Sequence, residues 1–225
     1  MHLQVRRRGL RAGEAVAAAR LGVLGGAFNP PHVGHLVLAQ EAYAQLGLDE
    51  VLLVPMARAP HREIEPEPGP TVRLDLCERA VAGDSRLSCS AAEVDRGGRS
   101  YTVDTLRALR DHDPAASLWL VLGADAAASL PSWREPDEVL RLATVAVAER
   151  GGAGRDAVLE AVAGLAGAAD RIEFFPMPRI DVSSSMVRRR AAEGLPVRYL
   201  VPGAVAERIA ERGLYAAGGA AVGAR

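Results

Sequence analysis

Two histidines stand where a helix is expected to begin, just after residues typical of a buried strand. His32 and His35 belong to the segment GGAFNPPHVGHL, residues 25–36, and their spacing places them on one face of a helix. A helix N-terminus carries unpaired N–H groups and a partial positive charge, so it attracts anions. Two imidazoles there add hydrogen-bond donors. The segment therefore predicts a phosphate-binding site.

Glycines surround these histidines. Gly25 and Gly26 let the backbone bend and approach a ligand, and Gly34 lets a phosphate approach between the imidazoles. The segment is neither a Gly-x-Gly-x-x-Gly fingerprint nor a P-loop. A metal site with His61 as the third ligand is one alternative. Histidines that only begin a helix are another, although the whole twelve-residue string argues against them.

Three serines form a second candidate anion site. Ser183, Ser184 and Ser185 precede a helical pattern, where hydroxyls cap the first turn and free N–H groups face an anion. Arg188 follows one turn later, and its guanidinium can hold a phosphate as a fork-shaped donor. Capping alone would also explain the serines. Two such helix starts, about 150 residues apart, are more specific together than either is alone.

The elements that must position these residues alternate along the chain. Strands are predicted at 21–28, 51–56, 87–94, 118–122, 144–148 and 172–175, and helices at 33–46, 71–82, 103–111 and 156–168. This alternation indicates a parallel sheet with helices on both faces. We therefore predict an α/β fold with a doubly wound parallel sheet in a single domain. Ligands bind such sheets at the carboxyl ends of the strands.

We expect one domain over residues 21–215, with a basic and disordered extension over 1–20 and a disordered tail over 216–225. An organelle presequence or a start codon assigned too early would also explain the basic stretch. The proline-rich segment 57–70 is either a surface linker or a mobile binding loop.

Composition excludes several classes of protein. The 225 residues include 27 basic and 28 acidic side chains, a net charge of −1, which argues against a nucleic-acid binder. Charged residues, glycine or proline interrupt every apolar stretch, so no membrane span is expected. Lysine is absent, so arginine must fill any functional role that lysine has in a related protein. Cys77 and Cys89 are expected to be reduced and structurally inert, as in a cytoplasmic protein.

The segment 25–36 resembles the Gly-Gly-x-Phe-Asp/Asn-Pro-x-His-x-Gly-His signature of the nucleotidylyltransferase superfamily. Members transfer AMP or CMP from a nucleoside triphosphate to an acceptor that bears a phosphate. The second signature of the superfamily, Ile-Ser-Ser/x-Thr-x-x-Arg, is similar to VSSSMVR at residues 182–188. The resemblance covers residues 21–215 and implies a Rossmann-like nucleotidyltransferase fold.

Three middle segments resemble the bacterial-type nicotinate-nucleotide adenylyltransferases. They are APHR at 59–62, RSYTVDTL at 99–106, and GAD at 123–125 with PSW at 131–133. Trp133 suits stacking on a pyridine ring, although a hydrophobic plug under a loop is the alternative. Tyr101 and Thr102 begin a helical pattern whose N–H groups suit the nicotinate carboxylate, without a cationic side chain. Asp125 suits a ribose hydroxyl, water-bound magnesium, or helix capping.

The resemblance implies roles for these positions. His35 would donate to the α-phosphate in the transition state, while His32 and Arg188 hold the triphosphate; these three form the catalytic set. The expected ATP-binding residues are Gly25, Gly26, Ala27, Phe28, His32, Gly34, His35, Arg62, Gly123, Asp125, Ser183, Ser184, Ser185 and Arg188. The expected acceptor-binding residues are Tyr101, Thr102 and Trp133. Ala27, Arg62, Val182 and Ser185 depart from the commonest family residues, and only Ala27 loses a functional group.

The implied reaction is transfer of AMP from ATP to nicotinate mononucleotide in NAD biosynthesis, with release of pyrophosphate. Magnesium is expected on the phosphates and water rather than in a protein cage. Other open readings are a different acceptor, either nicotinamide mononucleotide or phosphopantetheine, a non-catalytic nucleotide-binding regulatory module, and a flavoprotein of similar fold. We expect no nucleic-acid or membrane partner, and we leave homo-oligomerisation open.

Overall fold

A computed structural model describes residues 18–60, 66–150 and 154–216 of the chain. Its centre is a six-stranded sheet in the order β3-β2-β1-β4-β5-β6, with every neighbouring pair parallel. The strands are β1 Arg20–Gly26, β2 Glu50–Pro55, β3 Leu87–Cys89, β4 Ser117–Gly123, β5 Thr144–Arg150 and β6 Ile172–Met177. The predicted doubly wound α/β fold is confirmed.

Helices connect the strands and cover both faces of the sheet. They are α1 Val33–Leu46, α2 Pro70–Val81, α3 Ala92–Arg96, α4 Thr102–His112, α5 Ala124–Ala128, α6 Pro136–Leu142, α7 Arg155–Val162, α8 Ala168–Arg171, α9 Ser184–Ala192 and α10 Gly203–Glu211, with a 3₁₀ turn at Leu130–Ser132. Helix α1 begins and ends at the predicted residues. Its end follows from Gly47, which adopts the left-handed conformation that closes a helix.

Two predicted elements were wrong in extent. The strand predicted over 87–94 ends at Cys89, because Ser90 Oγ accepts the N–H of Ala92 and the helix-forming residues after it begin α3. The helix predicted over 156–168 ends at Val162, and Gly167 at φ +79° separates it from α8. Helices α6 and α10 were not predicted.

Alternating side chains of the strands divide the core into two layers. On β2, Leu52 and Val54 pack with the buried faces of α4 and α6, while Val51 and Leu53 pack with α1 and α2. Both faces of the sheet are therefore covered, so polar ligands approach its edge at the carboxyl ends of the strands.

A third apolar cluster joins α9 and α10 to α2. Its centre consists of Leu76, Val187, Val205 and Ile209, all buried. The N–H of Val33 also donates to the carbonyl of Leu200, 3.0 Å away. These contacts hold the start of α9 beside the start of α1, and so bring the two sequence signatures together.

The lengths of the helices and the state of the two cysteines can be compared with the predictions from composition. Within the described ranges, no helix is long and apolar enough to cross a membrane. Cys77 is buried in α2 and Cys89 lies in β3, and both are free thiols. The expected extension and tail fall largely on residues 1–17 and 217–225, which lie outside the described residues, so those boundaries stay predictions.

Candidate active site

The candidate site lies where the order of the strands reverses. β1 and β4 are neighbours, but each continues to a different side of the sheet, through β2 and β5. The loops that follow the two strands therefore diverge and leave a crevice at the carboxyl edge. The first signature follows β1. The predicted segments at 123–125 and 131–133, which include Trp133, begin at the end of β4 and continue after it.

The two histidines stack at the start of α1. Their ring centroids are 3.7 Å apart with an interplanar angle of 28°. His32 is the N-cap residue, and its backbone N–H donates to Nδ1 of His35 at 3.2 Å. Because Nδ1 of His35 accepts this bond, a neutral His35 carries its proton on Nε2. Nε2 is then the nitrogen that can donate to a ligand.

Close packing explains the residues around the histidines. The buried ring of Phe28 meets His35 edge-on, with centroids 5.0 Å apart. A Cβ at Gly26 would lie 3.3 Å from the ring of Phe28, and one at Gly34 would lie 3.1 Å from the imidazole of His32. Gly25 has open space instead, so its side of the turn is free for a ligand. The ring of Phe28 thus supports His35, and its predicted contact with ATP stays a prediction.

The second signature contacts the first directly. Ser183 caps α9 by accepting the N–H of Met186 at 3.2 Å, as the capping interpretation predicts. Ser184 Oγ donates to the carbonyl of Pro30 at 2.8 Å. Arg188 donates to the carbonyl of Asn29 at 2.8 Å and to Ser185 Oγ at 3.2 Å. The guanidinium has five N–H groups, more than these two bonds require.

Asn29 is a structural centre that the sequence did not reveal. Its side-chain oxygen accepts from the hydroxyl of Tyr215 at 2.7 Å, and its amide donates to the carbonyl of Pro66 at 2.8 Å. Burial raises the pKa of Tyr215 well above its ordinary value. The phenol therefore stays protonated and acts as the donor. One asparagine thus joins the first signature to α9, to Tyr215 and to the proline-rich loop.

Arg73 is a second residue that sequence reasoning missed. Its side chain is fully buried in α2 and donates to the carbonyls of Ala27, Met56 and Ala57 at 2.7–3.0 Å. Its Nε also pairs with Glu67 at 2.9 Å. This arginine ties together the loops after β1 and β2. Its one signal in the sequence is its position three residues before Leu76 and four before Cys77, which puts a charge on the buried face of α2.

A cavity of about 410 Å³ lies beside the phosphate-binding segment. Its wall includes Gly25, Gly26, Ala27, Tyr101, Thr102, Trp133, Glu93 and Arg134. The structure thus brings the three predicted acceptor residues together. The indole N–H of Trp133 donates to Ser129 Oγ at 2.9 Å, which fixes the ring at the wall. Thr102 begins α4, so N–H groups of its first turn lie at the cavity.

Two charged side chains in this wall were not predicted. Glu93 is buried and accepts a hydrogen bond from the hydroxyl of Thr105. Burial raises the pKa of Glu93 despite the opposing hydrogen bonds from Ser100 and Thr105. Arg134 lies over the ring of Tyr101, with its guanidinium carbon 4.8 Å from the ring centroid.

We call segment 25–36, together with residues 183–188 at the start of α9, the cradle. The described contacts do not connect three of the predicted ATP-binding residues to it. Asp125 is exposed in the first turn of α5, and Gly123 rather than Asp125 occupies the N-cap position. Neither belongs to the wall of the cavity. Arg62, like His61, lies outside the described residues. Like the other predicted ligand contacts, these three stay predictions.

The donors at the starts of α1 and α9 are of the kinds that bind phosphate, and the alternative metal site with His61 lies partly outside the described residues. Among the described residues, no group of three His, Cys, Asp or Glu side chains is placed to hold a metal ion. The imidazoles, the guanidinium of Arg188 and the N–H groups at the starts of α1 and α9 are donors to anions. Magnesium on phosphate oxygens and water, without a protein cage, stays a prediction.

The comparisons with known proteins agree with this geometry. The model of the cytidylyltransferase-like family matches residues 23–190. A probable nicotinate-nucleotide adenylyltransferase of Roseiflexus sp. is 41% identical over 201 residues, which covers 89% of this chain and all of the relative. That of Halalkalibacterium halodurans is 39% identical over 197 residues, covering 87% and 91%.

A solved structure shows the same fold. Nicotinic acid mononucleotide adenylyltransferase of Plasmodium falciparum, complexed with NaAD, superposes with a TM-score of 0.69 at 16% identity. The match covers 88% of this chain and 97% of that one. The predicted family is confirmed. The chain belongs to the cytidylyltransferase-like family and, within it, to the nicotinate-nucleotide adenylyltransferases.

Proposed function

We propose that this protein transfers AMP from ATP to nicotinate mononucleotide, forming nicotinate adenine dinucleotide and pyrophosphate in NAD biosynthesis. One observation carries the proposal. The starts of α1 and α9 are joined through Arg188 and Asn29, beside an aromatic cavity that shares the turn Gly25–Ala27. Two anion sites and one site for a flat ring are what a triphosphate and a pyridine mononucleotide need.

The chemistry needs alignment more than acid–base catalysis. The phosphate of the acceptor is already an anion at neutral pH, so it attacks the α-phosphorus without a general base. The bond from that phosphorus to the bridging oxygen breaks, and pyrophosphate leaves with the electron pair. The protein holds the reactants in line and neutralises the charge that develops.

The residues of the cradle divide this work. His35 donates from Nε2 to an α-phosphate oxygen, and the bond from the His32 backbone keeps that nitrogen protonated. His32 and Arg188 hold the β- and γ-phosphates, which become the leaving group. Ser183, Ser184 and Ser185 mainly fix the start of α9, because each hydroxyl bonds within the protein.

Magnesium, bound through phosphate oxygens and water, would neutralise charge on the leaving pyrophosphate. The protein residues supply hydrogen bonds and orientation to the same phosphates. Removal of magnesium with EDTA should abolish turnover, and added magnesium should restore it. Turnover that persists in EDTA would contradict this part of the proposal.

The cavity receives the pyridine ring. Trp133 offers its face for stacking, and the first turn of α4 at Tyr101 and Thr102 offers N–H groups to the nicotinate carboxylate.

We also place the enzyme in the cytoplasm, which suits its two free thiols. Size-exclusion chromatography with light scattering would determine whether it forms a homo-oligomer.

The direct test is identification of the product. Purified protein is incubated with ATP, magnesium and nicotinate mononucleotide, and the mixture is separated by chromatography and analysed by mass spectrometry. The proposal expects nicotinate adenine dinucleotide in the wild type and a strongly reduced yield in His35→Ala. Binding of ATP without a dinucleotide product would instead favour a regulatory module.

A further inference from the structure

Arg134 is placed to act on the acceptor. It follows Trp133 and lines the cavity described above. Among the described residues of that wall, Arg134 is the one basic side chain and Glu93 the one acidic side chain. Half of the Arg134 side chain is exposed, so the protein does not enclose it.

The ion pairs of Arg134 leave its guanidinium available for a further contact. The distances to Asp104 and Glu135 are 3.5 and 3.4 Å, longer than good charge-assisted hydrogen bonds. Arg107 pairs with the same two carboxylates and makes the shorter contact to Glu135, at 2.5 Å. Because Arg107 makes the shorter contact to Glu135, the guanidinium of Arg134 holds its two carboxylate partners only at these longer distances.

The ring of Tyr101 holds the guanidinium in place. The Arg134 carbon lies 4.8 Å from the ring centroid, within the range of a cation–π contact. Tyr101 lines the same cavity and precedes the first turn of α4. The cation and the N–H groups of that turn therefore lie at one side of the acceptor site.

We infer that Arg134 is a specificity-determining residue that favours a pyridine mononucleotide bearing a carboxylate over one bearing a carboxamide. The inference rests on the proposed function and adds a cationic side chain to the backbone donors expected from the sequence. A guanidinium attracts a carboxylate strongly but gains little from a neutral amide. The carboxyl group of Glu93 accepts the hydroxyl of Thr105, so the protein itself holds this acidic group.

Two matched variants test the inference. Arg134→Gln and Arg107→Gln each remove a cation that pairs with Asp104 and Glu135, but only Arg134 lines the cavity. kcat/KM for pyrophosphate release is measured with nicotinate mononucleotide and with nicotinamide mononucleotide, and calorimetry gives the affinity for each acceptor. Thermal melting checks that both variants are folded.

Arg134→Gln should lower the acid-to-amide ratio of kcat/KM by about 10-fold, equal to about 1.4 kcal/mol, through the acid substrate alone. Arg107→Gln should keep the wild-type ratio. An unchanged ratio in Arg134→Gln, or an equal loss on both acceptors, would overturn the inference. If the wild type releases pyrophosphate with neither acceptor, the proposed function fails first and the calorimetric affinities still measure the selection.

Discussion

Arg188 in α9 donates a hydrogen bond of 2.8 Å to the backbone carbonyl of Asn29, a residue 159 positions earlier in the chain. This bond joins the two signatures of the family. The same guanidinium contacts Ser185 at 3.2 Å, so its orientation is set from both sides. The triphosphate site is therefore assembled from two distant segments, and each segment needs the other in order to be placed correctly.

Replacing Arg188 with Lys should lower kcat/KM for ATP by about 10- to 100-fold, because a lysine cannot make both contacts and still reach a phosphate. Steady-state kinetics of pyrophosphate release measures the effect. Arg189→Lys is the matched control, since Arg189 is the next residue and is exposed. Equal kinetics in the two variants would show that the Asn29 contact has no role.

Replacing His35 with Ala should reduce kcat by about 10²–10³-fold while the KM for ATP changes much less. The imidazole is assigned to charge that develops on the α-phosphate only in the transition state. His112→Ala is the control, because His112 is exposed at the end of α4. A variant at position 35 with normal turnover would remove His35 from the mechanism.

Replacing Tyr215 with Phe should destabilise the fold by about 1–3 kcal/mol, because the side-chain oxygen of Asn29 loses its buried donor. Urea denaturation measures the change in the free energy of unfolding. Tyr199→Phe should have almost no effect, since 89% of Tyr199 is exposed. Equal stability of the two variants would mean that Tyr215 does not anchor the cradle.

Asp75 joins α2 to α10 through Arg208 at 2.7 Å and pairs with Arg79 at 3.0 Å. Burial alone would raise the pKa of Asp75, but the hydrogen bonds from Arg208 and Arg79 outweigh burial and lower it. A lowered pKa contributes stability above the ordinary value of about 4, and this contribution is lost as the pH falls through the folded-state pKa.

Asp75→Asn should therefore be less stable than the wild type by up to about 1 kcal/mol at pH 7, and this gap should narrow below pH ~4. Urea denaturation across pH measures it. Asp181→Asn is the control, because Asp181 pairs with Arg179 on the open surface. A gap for Asp75→Asn that stays constant with pH would contradict the assignment.

Local pattern was enough to predict the elements that carry the chemistry. The helix over 33–46 and the strand before it follow from an apolar run, a glycine turn and the glycine after Leu46, all within one short stretch. Ser183 was predicted as a cap for the same reason. The family resemblance then supplied the acceptor segments, which the fold gathers around one cavity.

Contacts between segments that are distant in the chain could not be predicted from the sequence. Arg73 and Tyr215 reach Ala27 and Asn29 only because α2 and the end of α10 pack near the turn after β1. The helix α3 was missed because its five residues give too short a period to distinguish it from a strand. Arg134 carries no pattern of its own, since its importance depends on the cavity beside it.

The central claim is that the cradle and cavity together transfer AMP to a pyridine mononucleotide with a carboxylate. Pyrophosphate release with ATP and magnesium is measured in parallel with nicotinate mononucleotide, nicotinamide mononucleotide and phosphopantetheine. The account predicts release with the acid mononucleotide, favoured over the amide by about 100-fold or more, equal to about 2.7 kcal/mol of recognition. Release only with another acceptor, or with none of the three, would contradict it.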